Sequence, residues 1–386
     1  MSDQNILLTT EGCRYCLMCR HVCPVTRVTH NESTSPHGWA LTVASVRRGL
    51  LDWNAETADL LYQCADCGLC QSFCATDQPL PQAIVAARAE VAAAGRAPAA
   101  VAALDAAIRR SGHPYVGPHP LAPAPAAAEE GDYPLPSPIA LGEGPGVRAE
   151  TVLFVGATAW HRERASLDAA RRLLEAAGVT HGLASVGRSS GYLAYTVGLS
   201  DTARDLARAT VEEIERSGCR KLVVLAPEHA HTLRNVYPLL GTPLPECVEV
   251  LELTTLLAGL LDDGRLRLRQ SSLNVAYHDP CQTPRLLGRW RAPRRLLAAI
   301  AAEPVREGFW REQRAANCGA SGGLPWTQPR LAAAMAHAAL ADVANGSESL
   351  VVTDAPGCLA HLRANADRLG IRVHGLYELL AEHLEA

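Results

Sequence analysis

KLVVLAPEHAHTLRNVYP, residues 221–238, and SLVVTDAPGCLAHLRANAD, residues 349–367, are two versions of one segment. Each opens on a short run of Leu and Val and reaches an Ala-Pro step. A continuous apolar run of this length reads as a strand buried on both faces of a parallel sheet. The likeness extends outward. VEVLELTTLLAGLL (248–261) aligns with IRVHGLYELLAEHL (371–384), GRSSGYL (187–193) with ANCGASG (316–322), and TVLFVGA (151–157) with NVAYHDPC (274–281). The spacings agree: Ser190 to His229 is 39 residues and Cys318 to Cys358 is 40. A fixed internal period of this kind marks a duplicated unit. Helical patterns over 165–177, 203–217, 292–301 and 330–344 fall between the strands. Residues 150–268 and 272–386 therefore read as two copies of one α/β unit with a parallel sheet.

Upstream the chain is organised by cysteine. CRYCLMCRHVCP (13–24) and CADCGLCQSFC (64–74) both read C-x-x-C-x-x-C-x-x-x-C. This is the spacing of paired cubane clusters, in which three thiolates of a loop serve one cube and the fourth serves the other. It assigns Cys13, Cys16, Cys19 and Cys74 to one [4Fe–4S] cluster, and Cys64, Cys67, Cys70 and Cys23 to a second. Zinc is the alternative, but its usual sites pair two C-x-x-C units a dozen or more residues apart. Disulfides would call for an oxidising compartment. Residues 1–95 make up this mostly helical two-cluster domain, with helical patterns over 38–51 and 80–94, the latter stopping at Gly95. Residues 96–149, dense in Pro, Gly and Ala from 112 onward, read as a linker. The expected fold is α+β overall.

Net charge is −4, which gives no bulk attraction to nucleic acid. Hydrophobic residues make up 48% of the 386, enough for real cores. No apolar run approaches the eighteen or so residues of a membrane span, and MSDQNILLTTEG lacks the pattern of a signal peptide. Thirteen cysteines without an export signal point to the reducing cytoplasm and metal-bound thiolates.

The repeat puts three further cysteines in register. Cys281, Cys318 and Cys358 fall at strand-to-helix turns of the second copy, on the edge where open parallel sheets bind ligands. Their counterparts in the first copy are Ala157, Ser190 and His229. A third cluster at these three cysteines is one reading, with His278, Asp279 and His229 as fourth-ligand candidates. Relics in a degenerate repeat is the other. Cys219 and Cys247 fit no position and read as small buried apolar residues. Arg285, Arg289, Arg291, Arg294 and Arg295, with Trp290, form a basic stretch that reads as a docking face or as a solvated helix face. GASGG (319–323) is weak as a phosphate cradle.

With these motifs in view, the chain resembles the family that unites the iron–sulfur subunits of glycolate oxidase, anaerobic glycerol-3-phosphate dehydrogenase and heterodisulfide reductase. The resemblance covers nearly the whole length: a two-cluster ferredoxin-type domain and two cysteine-rich repeats of the CCG type. In that family a full repeat carries a cysteine after the first strand, a Cys-Cys-Gly turn and a C-x-x-C turn. Here the second repeat keeps Cys281, Cys318 and Cys358, with Asn317 and Ala355 in place of the other two. The first repeat has Ser189 and Ser190 at the Cys-Cys position. The non-cubane cluster of the heterodisulfide reductases takes five cysteines, which this repeat does not supply.

The resemblance implies an electron-transfer subunit of an oxidoreductase complex. A flavoprotein dehydrogenase partner carries the flavin, and a quinone or carrier protein is the acceptor. Attachment to a membrane would be peripheral, through a partner. The alternative is a catalytic reductase subunit, with a site-differentiated C-terminal cluster that reduces a disulfide or quinone.

Overall fold

The computed structural model describes residues 3–116, 150–346 and 350–385. The first copy forms strands β1 (Thr151–Gly156), β2 (Gly182–Val186), β3 (Lys221–Val224) and β4 (Glu249–Glu252). The second forms β5 (Val275–Tyr277), β6 (Arg306–Glu307), β7 (Leu350–Thr353) and β8 (Val373–Gly375). The sheet orders are β2-β1-β3-β4 and β6-β5-β7-β8, all parallel, so the two copies share one topology. Register follows suit: Val152 faces Leu222 and Leu222 faces Val250, while Ala276 faces Val351 and Val351 faces Val373.

The copies are paired by reciprocal helix contacts. Helix Arg164–Ala176 of the first packs on Leu376–Glu382 of the second, and Leu253–Asp262 of the first packs on Arg291–Ile300 of the second. In each contact the helix after a copy's first strand meets the helix after the other copy's last strand. That is the self-complementary contact of a two-fold axis, within one chain. One core results, in which Leu153, Val223 and Leu257 share a cluster with Tyr277, Leu297, Val352 and Leu380.

The N-terminal part is helical, with Pro36–Arg47, Ala55–Leu61 and Leu80–Ala93 as its main helices. Asn54 and Thr57 form a capping box that fixes the start of the second of these. Residues 96–149 were expected to be a linker; within them Ala99–Ser111 is a helix. It buries Val101, Leu104, Ala107 and Ile108, a stripe at helical spacing that the Ala-rich composition conceals. The Pro-rich stretch 117–149 lies outside the described residues. Val101, Leu104 and Ile108 pack with Leu7, Leu61 and Tyr62 and with Ala194, Val197 and Ala203 of the first repeat.

Arg88 closes the joint between the cluster domain and both repeats. It is fully buried and donates to the carbonyls of Leu61 (3.1 and 2.7 Å), Cys64 (2.6 Å), Thr196 (2.7 Å) and Gly322 (3.2 Å).

Candidate iron–sulfur and C-terminal sites

Cys13 and Cys16 sit on a loop between Thr9–Gly12 and Met18–Val22, and Cys19 lies in the first turn of the latter. The chain then turns extended at Cys23, and Pro24 starts the next helix, which carries Cys23 away from its own loop. Cys19 faces Cys13, Cys74 and Cys16. Together with Cys70, His37 and Ala40, these thiols line a cavity of ≈ 50 Å³. Cys70 faces Cys64, Cys67 and Cys23, and beyond them Cys19 of the other group. The two groups thus lie end to end. Every one of these sulfurs is free of disulfides.

Burial pushes the Cys23 thiol up to about 11, and the neighbouring Cys67 adds to it. Cys64 and Cys70 are raised in the same way, by burial first. Burial and the Cys13 charge put Cys19 at about 11. At Cys74 slight burial acts upward, but hydrogen bonds from Thr76 and Gln78 hold it below its ordinary value. Four thiols crowded into one poorly hydrated space repel each other as thiolates. A polycationic iron–sulfur core removes that repulsion, so the residues fit such a cluster.

The second loop is seated on the repeats. Arg285 donates to the carbonyl of Cys67 (2.6 Å) and to those of Gln313 and Ala315 (2.9 and 2.8 Å). The Ser321 hydroxyl donates to the Ala65 carbonyl (2.6 Å). GASGG is used here for close approach. A Cβ at Gly322, whose φ is +66°, would stand 2.6 Å from the Cys64 carbonyl. The basic stretch is likewise spent inside the chain. Arg294 pairs with Asp279 and Glu307 (2.6 and 2.7 Å), Arg289 with Glu252 and Arg295 with Asp262.

Cys281 caps helix Gln282–Leu286 after β5, and Cys358 lies in the first turn of Pro356–Ala366 after β7. Strands β5 and β7 are the pair at which the strand order reverses, the place where such sheets collect ligands. Cys281, Cys318 and Cys358 line one cavity of ≈ 120 Å³, and Ala157, Ser190 and His229 of the first copy line it from the other side. The donor atoms of His278, Cys318 and Cys358 all lie within 4.8 Å of one another.

Within that group the Cys358 thiol hydrogen-bonds Cys318 and holds it well below its ordinary pKa, with His278 helping. Cys358 rises by the same contact and by burial. Among the described residues the Nε2 of His278 has no hydrogen-bond partner. Cys281 stands beside this group: its sulfur accepts from Asn317 Nδ2 at 3.2 Å, and burial puts its thiol at about 12.

One fourth-ligand candidate, Asp279, is displaced, while His229 lines the cavity. Asp279 is held bidentate by Arg294 and accepts from the Glu312 amide, so its oxygens are taken. His229 stacks edge-on against Phe154, 4.7 Å between ring centres. Cys247 is exposed where burial was expected, whereas Cys219 is buried.

Sequence reading missed a polar chain between the second loop and this cavity. Tyr192 donates to Asp66 (3.1 Å), and Gln282 donates to the Tyr192 hydroxyl (2.6 Å). Glu228, which also lines the cavity, is raised to about 7 by burial. The neighbours of Cys67 and Cys281 in sequence, Asp66 and Gln282, were the only signal for this chain.

Comparison with known proteins agrees with this layout. Residues 9–77 match the 4Fe-4S dicluster domain, and residues 275–363 match the CCG cysteine-rich domain. The chain is 29% identical over 245 residues to a subunit of the dihydromethanophenazine:CoB–CoM heterodisulfide reductase of Methanosarcina barkeri, covering 61% of this chain and 59% of that protein. It is 31% identical over 225 residues to a probable membrane-anchored ferredoxin of Chromohalobacter salexigens (56% and 32%). It is 31% identical over 169 residues to the EtfAB:quinone oxidoreductase of Syntrophomonas wolfei (42% and 22%). The chain thus spans about three-fifths of the first relative and a third or less of the other two. It carries a match to a 4Fe-4S dicluster domain and one to a CCG cysteine-rich domain, and it is similar to that heterodisulfide reductase subunit.

Proposed function

We propose that the chain relays single electrons in a multi-subunit oxidoreductase, between a flavoprotein dehydrogenase subunit and a quinone or carrier protein, in the cytoplasm. The proposed ligand sets are Cys13, Cys16, Cys19 and Cys74 for one cluster and Cys64, Cys67, Cys70 and Cys23 for the other. When bound, the clusters supply one-electron redox capacity, which lets a two-electron flavin serve one-electron carriers. The chain's own residues hold the two sites end to end and keep water from the second. The observation that carries this reading is the line of thiols: exposed Cys16, then Cys19 facing Cys70, then Cys67 acting on Cys281 at the cavity. Among the described residues no helix is long and apolar enough to cross a membrane.

The cavity between the repeats favours a second reading, that of a catalytic reductase subunit. Cys318, Cys358 and His278, with Cys281 beside them, would hold a third metal centre. Three donors leave a fourth position free for a disulfide or quinone. Anaerobic iron and sulfide analysis with EPR after reduction tests both. The relay alone predicts about eight irons per chain, and a filled third cluster about eleven or twelve. Stoichiometric zinc with little sulfide would sink the relay.

A further inference from the structure

The two cluster loops have one backbone and opposite surroundings. Tyr15 and Asp66, at the same position of each motif, are both left-handed, with φ of 52° and 50°. So are Leu17 and Gly68, with φ of 59° and 73°. The second loop is covered. Ala65 is 2% exposed and Leu69 0%, Asp66 is bonded by Tyr192, and Gly68 lies under Leu286 and Arg285. In the first loop Arg14, Tyr15, Cys16, Leu17 and Met18 are all exposed. Tyr15, Leu17 and Met18 are 51%, 37% and 52% exposed; the covered twin has Asp and Gly at the first two positions and a fully buried Leu69 at the third. Leucine in a left-handed turn costs on the order of 1 kcal/mol that glycine would not. Leu17 still lines the first cluster cavity with part of its surface, whereas Tyr15 and Met18 do not line it.

Charge narrows the occupant. Around this loop stand Arg14, Arg20, Arg47 and Arg48 against Glu11, Glu32 and Glu90, in a chain of net charge −4. Arg20 pairs with Glu32, Arg48 with Glu11 and Arg47 with Glu90, which leaves Arg14 as the cation of this face that forms no ion pair among the described residues. Two copies meeting at this face would bring like charges together. A partner with an acidic rim around an apolar centre fits instead. Exposed Cys16 would then lie at the contact, where a short electron path needs it.

We propose that Tyr15, Leu17 and Met18 form the docking face for the redox partner, an acidic-rimmed protein bearing a flavin or a cluster. It covers the first loop as the repeats cover the second. This rests on the relay reading above.

The test is affinity purification of the full chain from its native host under anaerobic conditions, with flavin, iron and EPR read on the eluate. The variants are Tyr15→Asn/Met18→Ser and, as a control on the far repeat, Leu369→Ser. Neither Tyr15 nor Met18 lines the cluster cavity, and asparagine tolerates the left-handed turn, so folding and cluster loading are not at risk. The proposal expects a flavin- or cluster-bearing protein with the wild-type chain and with Leu369→Ser, reduced at least tenfold with the double variant. Iron content and cluster signals of the variant stay at the wild-type level. If the double variant keeps the redox partner, the docking face is elsewhere and the relay reading stands. If the wild-type chain brings down no redox protein, both fall. A wild-type dimer that the double variant splits into monomers in sedimentation overturns the partner in favour of a second copy.

Discussion

Arg88 sits inside LPQAIVAARAEVAA, where a lone arginine in an apolar helix reads as the solvated face. The fold gives it no solvent and, among the described residues, no carboxylate hydrogen-bond partner; it holds four backbone carbonyls from three separate segments and lies over the Tyr62 ring. Its role was illegible because its partners lie 24 to 234 residues away. The cysteine motifs were legible for the opposite reason, since three ligands of each set lie within seven residues. Arg88→Met leaves buried carbonyls unpaired and should cost roughly 3 kcal/mol or more, at about 1–3 per orphaned group. Arg88→Lys should recover only part, because a point charge cannot span the fork. Denaturant unfolding and limited proteolysis read this: the Met variant should release the cluster domain from the repeats sooner. An unchanged midpoint would remove Arg88 from the joint.

Short helices decide which loop owns which thiol. Met18–Val22 and Pro24–Thr29 meet at the extended Cys23 and aim it at the second group of cysteines. Cys23→Ser should therefore lose the cluster held by Cys64, Cys67 and Cys70, about half the iron, and spare the cluster at Cys13, Cys16 and Cys19. Site-resolved EPR checks it, and loss of the nearer cluster would overturn the crossed sets. At this scale four strands were legible from buried Val and Leu runs. β2 and β6 were not. GLASV has little β propensity, and Arg306–Glu307 is only two residues long at a sheet edge. The repeat supplies neither, because β2 and β6 hold the same place in the two copies and each lacks a legible twin.

Between the repeats, Arg363 bridges Glu163 (2.5 Å) and Glu378 (2.7 Å), and Ser166 donates to Glu378 (2.5 Å). Burial raises Glu163 from an ordinary 4.5 to about 7, against the pull of Arg363. A carboxyl whose folded pKa lies above its unfolded one keeps its proton in the fold longer than in the unfolded chain. Stability therefore falls as pH rises from about 4.5 through 7. The melting temperature of Glu163→Gln, minus that of the wild type, should climb across this window and level off above it. A flat difference from pH 5 to 8 would mean that Glu163 titrates normally. Contacts of this kind also set a clock for biosynthesis. The Ser321 hydroxyl that covers the second loop lies 256 residues after its acceptor, the Ala65 carbonyl. At about 5–20 residues per second on the ribosome, that is roughly 10–50 s during which Cys64, Cys67 and Cys70 stand open to an iron donor. Once the second repeat has been made and seated, Cys64 and Cys67 are sealed and Cys70 alone of the three stays half-buried, so a chain that misses its metal while nascent must open this seat to receive it.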